Sequence, residues 1–140
     1  MASNQSQFAS EEWLQVLEAE MRKFVASLTD GKRFSISEVY TKVPPEVNPA
    51  PAGRVAWTAR IDGSDVSFVR GEAEDVDLKV EGEYEHIRKA AIFVVSEDNE
   101  EEYQAIAAQA IEQGRITVDG DMAIVADMQP FHNIMAARSA

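Results

Sequence analysis

Two histidines, three tyrosines and an excess of carboxylates are the groups in this chain able to do chemistry, and their spacing excludes most reaction classes. There is no Gly-rich phosphate loop, no nucleophile elbow and no His-Glu-x-x-His pair. Cysteine is absent, which removes thiolate catalysis, disulfides and thiolate metal sites and makes a cytoplasmic location the expectation. His86 follows Tyr84 and Glu85 at the start of a helix and reads as a surface or capping residue. His132 sits just after Pro130 among Met128, Phe131 and Met135. An imidazole in such surroundings would serve as a catalytic general base toward an apolar substrate, with Tyr40 or Tyr103 as donor. The competing reading is a partly exposed histidine on an amphipathic helix. Asp121 is explained as a helix cap, and Asp127 falls on the polar side opposite Val125 and Met128. Two distant histidines and scattered carboxylates make no ligand set, so neither a metal nor a cofactor is expected.

The stronger signal is apolar. Trp57, Phe68, Phe93, Met122, Val125, Met128, Phe131 and Met135 supply large side chains toward one end of the chain, and three of the five methionines lie in the last helical region. Flexible thioethers suit a cavity that accepts ligands of varied shape, although each residue taken singly reads as ordinary core.

The elements that must hold these residues follow from periodicity. Residues 10–28 form the clearest helix: Trp13, Leu14, Leu17, Met21, Phe24, Val25 and Leu28 recur at three- and four-residue intervals, with Glu11 and Glu12 in the first turn. Residues 35–42 mix two periods and read as a short helix or turn, stopped by Pro44 and Pro45. Four of the five prolines fall between there and Gly53, so an exposed, extended connection is expected. Val55, Trp57, Ala59 and Ile61 alternate inward, Asp62, Gly63, Ser64 and Asp65 turn the chain, and Val66 and Phe68 begin the return strand of a hairpin. Val76, Leu78 and Val80 mark a third strand, residues 83–91 a helix, and residues 98–113 another helix with Tyr103, Ile106, Ala107, Ala110 and Ile111 facing in. The apolar run 90–95 between them fits a helix extension, a buried strand or a cavity wall. Residues 116–118 form a last strand, and the helix that follows is kinked or restarted at Pro130. Interspersed strands and helices with a hairpin argue for an antiparallel-rich sheet with helices on one face rather than a doubly wound parallel sheet.

At 140 residues the chain is the size of one domain, able to bury about 68 to 70% of its unfolded surface. Thirteen basic against twenty-five acidic residues give a net charge of −12, which repels phosphate backbones and anionic lipid surfaces. Nucleic-acid binding and stable membrane insertion are therefore not expected, and the acidic surface reads as a solubilising one. Residues 1–7 have no basic or apolar run of a signal peptide, and residues 1–9 are expected to be a loose, disordered tail.

The stretch from Gly114 to Gln129 narrows the fold further. Ile116 and Val118 alternate with Arg115 and Thr117, Gly120 supplies the turn, Asp121 caps, and Met122, Val125 and Met128 lie at helical spacing. This Gly-basic-apolar-x-apolar-x-Gly-Asp-Met run resembles the closing strand and helix of the sterol carrier protein type 2 family. A second junction, through Val76, Leu78, Val80, Gly82 and Glu83, agrees with that family's preceding strand and helix. The resemblance covers residues 54–135, with Ala123 and Asp127 departing from the small Gly and basic Lys common in the family. It implies an α+β, SCP2-like sandwich: a mainly antiparallel five-stranded sheet covered by helices and enclosing an apolar cavity. It also implies a noncatalytic protein that binds or transfers a sterol, fatty acyl chain or other lipid. The eight apolar residues named above would bind that ligand, in a single domain over residues 10–140. Residues 32–53, unmatched by the family, would be a Pro-rich insertion that caps the pocket or makes a homodimer contact.

Overall fold

The computed structural model describes residues 5–140. Helix α1 (Glu11–Ala26) leads into β1 (Arg33–Thr41), then come the hairpin β2 (Val55–Asp62) and β3 (Asp65–Arg70), β4 (Leu78–Glu83), α2 (Tyr84–Ala91), α3 (Glu100–Glu112), β5 (Ile116–Gly120), α4 (Ala123–Asp127) and α5 (Gln129–Ala137). The strands form one sheet in the order β3-β2-β1-β4-β5. Three of its pairings are antiparallel, and β1 runs parallel to β4, so the sheet is mixed.

The short helix or turn expected at residues 35–42 is instead the central strand β1, paired on both edges, so Arg33–Thr41 belong to the sheet. Its alternation is hidden in the sequence for two reasons. Both faces are buried, with Val39 and Ser37 fully enclosed on one and Ile36 and Tyr40 on the other, and an acid, Glu38, interrupts the apolar face. Ladder partners place Ile36, Glu38 and Tyr40 on the same side as Trp57, Ala59, Leu78, Val80, Ile116 and Val118. That side faces the helices.

The opposite side is polar, and residues 71–77, crossing from β3 to β4, lie over it. Thr58 Oγ1 donates to the Gly71 carbonyl (2.7 Å), the Ala73 N–H donates to Ser37 Oγ (3.2 Å), and the Ser35 N–H donates to Asp77 Oδ2 (2.9 Å). The buried hydroxyls of the middle strands are thus used rather than stranded. Glu72 is paired with Arg54 (2.6 Å) and Lys79, whose hydrogen bonds pull its carboxyl down to about 2. The Asp77 carbonyl accepts from the Asp121 N–H (2.8 Å), and this close passage explains the motif glycine. Gly120 has φ 123°, and a Cβ there would stand 2.0 Å from that same oxygen.

Ser10 Oγ accepts from the Trp13 N–H (3.1 Å) and starts α1, whose Trp13, Leu14, Leu17, Met21 and Val25 are buried. Of the segment expected to be a loose tail, residues 1–4 lie outside the described residues, while Ser6, Phe8 and Ala9 are buried. Phe8 is fully buried, with ring centroids 4.8 Å from Trp13, 4.8 Å from Tyr40 and 5.6 Å from Tyr84. The Phe8 N–H donates to the Ala140 carbonyl (2.9 Å) and Trp13 Nε1 donates to Ser139 Oγ (2.8 Å), so this aromatic knot also fastens the end of α5. Phe8→Ala is expected to cost about 3 to 5 kcal/mol of unfolding free energy, measured by urea titration followed through tryptophan fluorescence. A truly loose segment would lose nothing.

Candidate functional site

The helices cover the apolar side of the sheet without filling it. A cavity of about 650 Å³ remains between them. Its floor is the sheet, through Ile36, Glu38, Tyr40, Trp57, Leu78, Val80, Ile116 and Val118; its closed end is built by Phe8, Trp13, Leu17 and Met21. Helices α3, α4 and α5 complete the wall. The wall includes exposed residues, Gln104, Ala108 and Ile111 on α3, Met122 just before α4, and Val125 and Ala126 on α4. Those of the sheet and α1 are mostly buried, so the mouth lies between α3 and α4.

Sequence periodicity explains this wall. Of the five α3 residues expected to face in, Ala110 is buried, Tyr103, Ile106 and Ala107 are half-buried and Ile111 is exposed. Tyr103, Ala107 and Ile111 do fall on one helical face, and that face borders the cavity. The closing helix is interrupted as Pro130 requires: α4 ends at Asp127 and α5 begins at Gln129, with the proline in its first turn, where its missing N–H costs nothing. Asp121 Oδ1 accepts from the Ala123 N–H (2.9 Å) at the α4 entry. The break tilts a new apolar face, Phe131 and Met135, toward the cavity.

Six of the eight ligand-binding candidates border the cavity: Trp57, Met122, Val125, Met128, Phe131 and Met135. Met122 is 56% and Val125 39% exposed, so these two sit at the mouth rather than in the interior. Two do not border it. Phe68 lies on the edge strand β3 and stacks against Trp57, with ring centroids 5.7 Å apart and planes 13° apart. Phe93 follows the end of α2 and packs its ring on Tyr103 at 5.6 Å. His132 is on the wall, yet its Nε2 is 2.9 Å from the Phe93 carbonyl, and burial pulls its proton affinity down. A neutral ring with Nε2–H donated to that carbonyl is the consistent form. Tyr103 stacks edge-on at 5.1 Å, and among the described residues no hydroxyl nucleophile or carboxylate hydrogen-bonds to the imidazole. His86 is partly buried near the α2–α3 packing, away from this site.

Glu38 was not among the candidates. It projects from the middle of β1 into the cavity, between Trp57 and Val80 in the ladder. The Tyr40 hydroxyl donates to Glu38 Oε1 (2.7 Å) and accepts in turn from Trp57 Nε1 (2.8 Å). Burial in apolar surroundings holds the Glu38 carboxyl above its ordinary 4.5, and the Tyr40 hydrogen bond opposes this only in part. Tyr40 is itself pushed well above 10, first by burial and then by the charge of Glu38, which reaches Tyr103 across the cavity as well. A second polar atom, Gln129 Nε2, is buried with no partner, on a residue of the same wall. The sequence did hold a signal for Glu38: the apolar alternation through Phe34, Ile36 and Tyr40, broken only by an acid. Among the described residues no group of three His, Asp or Glu side chains could hold a metal ion, and no helix is long and apolar enough to cross a membrane.

No family profile matches the sequence, and no curated protein matches it. Solved structures do. The crystal structure of sterol carrier protein 2 superposes with a TM-score of 0.54 at 17% identity, over 93% of this chain and 98% of that one. The solution structure of the sterol carrier protein domain 2 of Helicoverpa armigera gives a TM-score of 0.57 at 16% identity, over 99% of this chain and 96% of the other. The likeness is one of fold, and it reaches beyond residues 54–135 to include β1 and α1. The chain has the SCP2 fold, an α+β arrangement in which helices cover a five-stranded sheet.

A raised folded-state proton affinity means that the folded protein holds the Glu38 proton more tightly than the unfolded chain does. Below pH 4.5 Glu38 therefore costs nothing, and its penalty grows as pH rises through that value toward the folded-state one. Glu38→Gln, which keeps the shape without the charge, is expected to be more stable than the wild type by about 1 to 3 kcal/mol near neutral pH. The gain should fade in acid. Urea titrations at the two pH values check this, and an equal difference at both would contradict it.

Proposed function

We propose that the protein is a noncatalytic binder and carrier of an apolar small molecule, of the sterol, fatty acyl or other lipid class, taken up between the sheet and its helices. The observation that carries the reading is the cavity itself. At about 650 Å³ it lies within the range of about 300 to 1,000 Å³ typical of small-molecule sites, and its wall is predominantly apolar. The fold supports the same reading, since proteins named sterol carrier protein 2 share it.

The physics of binding follows from the wall. Transfer of apolar surface from water is nondirectional, so affinity is set by how much chain is buried and little by where along the wall it lies. All four described methionines, Met21, Met122, Met128 and Met135, border the cavity, two of them deep inside and Met122 at the mouth. Their unbranched thioethers change rotamer cheaply and adapt the wall to different ligand outlines. Entry between α3 and α4 needs little disruption, because α3 buries only Ala110 and α4 only Ile124. Glu100, Glu101 and Glu102 in the first turn of α3 are exposed, and Glu100 also borders the cavity.

The alternative, a cofactor-free enzyme with His132 as base, gains no support from the geometry. Its Nε2 is occupied by the Phe93 carbonyl, and the imidazole reads as a strut between α5 and the segment after α2.

The test is affinity against chain length. In a series of saturated alcohols, each added methylene is expected to strengthen binding about fourfold, corresponding to about 0.8 kcal/mol per buried CH₂, until the cavity is full. Displacement of a fluorescent apolar reporter measures the series. Native mass spectrometry of protein purified without detergent should show a copurified lipid at one copy per chain. Affinity that ignores chain length would overturn the carrier reading.

A further inference from the structure

An apolar cavity needs no carboxyl group, and this one has a carboxyl at the centre of its floor. Glu38 is set there by the strongest constraint in the fold: β1 is paired on both edges, so the side chain cannot be turned away without slipping the register of the whole sheet. It is also aimed. Trp57 Nε1 donates to the Tyr40 hydroxyl at 2.8 Å, and the hydroxyl has only its own proton left to give, which goes to Glu38 Oε1 at 2.7 Å. The relay fixes one oxygen. The other, Oε2, receives no hydrogen bond and no ion pair among the described residues, although the side chain borders the cavity. Oε2 is open to the cavity rather than sealed in the wall, so a ligand that covers it must supply a hydrogen bond or leave a desolvated acceptor unpaired, at a cost in free energy.

We infer that Glu38 is the head-group anchor of the cavity, and that the ligand is a neutral apolar molecule carrying a hydroxyl, which enters hydroxyl first and donates to Glu38 Oε2. The inference rests on the carrier reading and specifies its ligand class. A hydroxyl meets the carboxyl in either protonation state, since an ionised Oε2 accepts from it and a protonated one can give and accept. A free carboxylate is disfavoured because it would bring a second negative charge beside Glu38 in a low dielectric. A ketone, ether or ester offers no donor to an ionised Glu38. An amine would be drawn to the net charge of −12 at many surface points, so its binding would not report on this site.

Chain-matched probes decide the matter: dodecanol, dodecyl methyl ether and dodecanoate, each displacing a fluorescent apolar reporter from the wild type and from Glu38→Leu. The wild type is expected to prefer dodecanol over the methyl ether by at least about tenfold, the net worth of a hydrogen bond to a carboxyl group. Glu38→Leu, close in volume and without polar atoms, should bring that ratio to near one while still binding the ether. Equal binding of alcohol and ether by the wild type would overturn the anchor and leave the carrier reading standing. So would a preference that survives Glu38→Leu, or dodecanoate binding more tightly than dodecanol. Failure of all three probes to bind would instead sink the carrier reading. Should Glu38→Leu not fold, the wild-type ratio decides alone, together with the infrared carboxyl band of the wild type. That band should shift on adding dodecanol and stay unmoved by the ether.

Discussion

Strand β1 is hydrogen-bonded on both edges and buried on both faces, and the rest of the molecule is arranged around that double constraint. The strand pairs with β2 along most of its length and with β4 from Ile36 to Thr41, so its backbone groups are used on both edges through the middle of the sheet. Burial on both faces then demands two different covers. The polar face, with Ser35 and Ser37, is covered by residues 71–77, which answer its hydroxyls one by one. The apolar face is covered by helices, which cannot follow the sheet closely enough to exclude a cavity. The parallel pairing with β4 reinforces this, since it obliges the chain to pass the hairpin and the 71–77 crossing before returning to the sheet beside its centre.

The cavity is closed unevenly. At one end the interlocked rings of Phe8, Trp13, Tyr40 and Tyr84 and the pairing of residues 6–8 with 138–140 make a rigid closed end. At the other, α3 and the short α4 present apolar residues to solvent with little packed behind them. Rigidity where the ligand's far end would rest, and weak packing where it would enter, is the division of labour expected of a protein that must both hold and release an apolar molecule. Ligand binding adds stability to such a fold in proportion to the logarithm of ligand concentration, so the occupied protein is also the more resistant one.

Much of this could be read from residue order. The hairpin, α1 and the junction at Gly120 and Asp121 lie where periodicity and turn chemistry place them, because each is decided by neighbours within a few positions. The central strand could not be read in that way. Periodicity finds a strand by contrast between its faces, and in β1 that contrast is broken midway, where the acid Glu38 stands on the apolar face and Val39 on the polar one. The burial of Phe8 was equally invisible, because it depends on Trp13, Tyr40 and Tyr84 meeting from three separate elements. Losing β1 from the sequence reading also lost Glu38, whose meaning comes only from the apolar neighbours on its face. The methionine-rich closing segment was legible as a cavity wall through its likeness to a family; composition alone equally described a core.

The central claim is that an apolar molecule occupies the space between sheet and helices, and the methionines report on it directly. Protein labelled with carbon-13 at the methionine methyls, titrated with a long-chain alcohol and followed by two-dimensional NMR, reads the wall from four sides at once. Concerted, saturable shifts of the Met21, Met122, Met128 and Met135 methyls at one ligand per chain are the expected result. Movement of Met122 alone, without the buried Met21 and Met135, would mean that the ligand touches only the surface, and would contradict the claim.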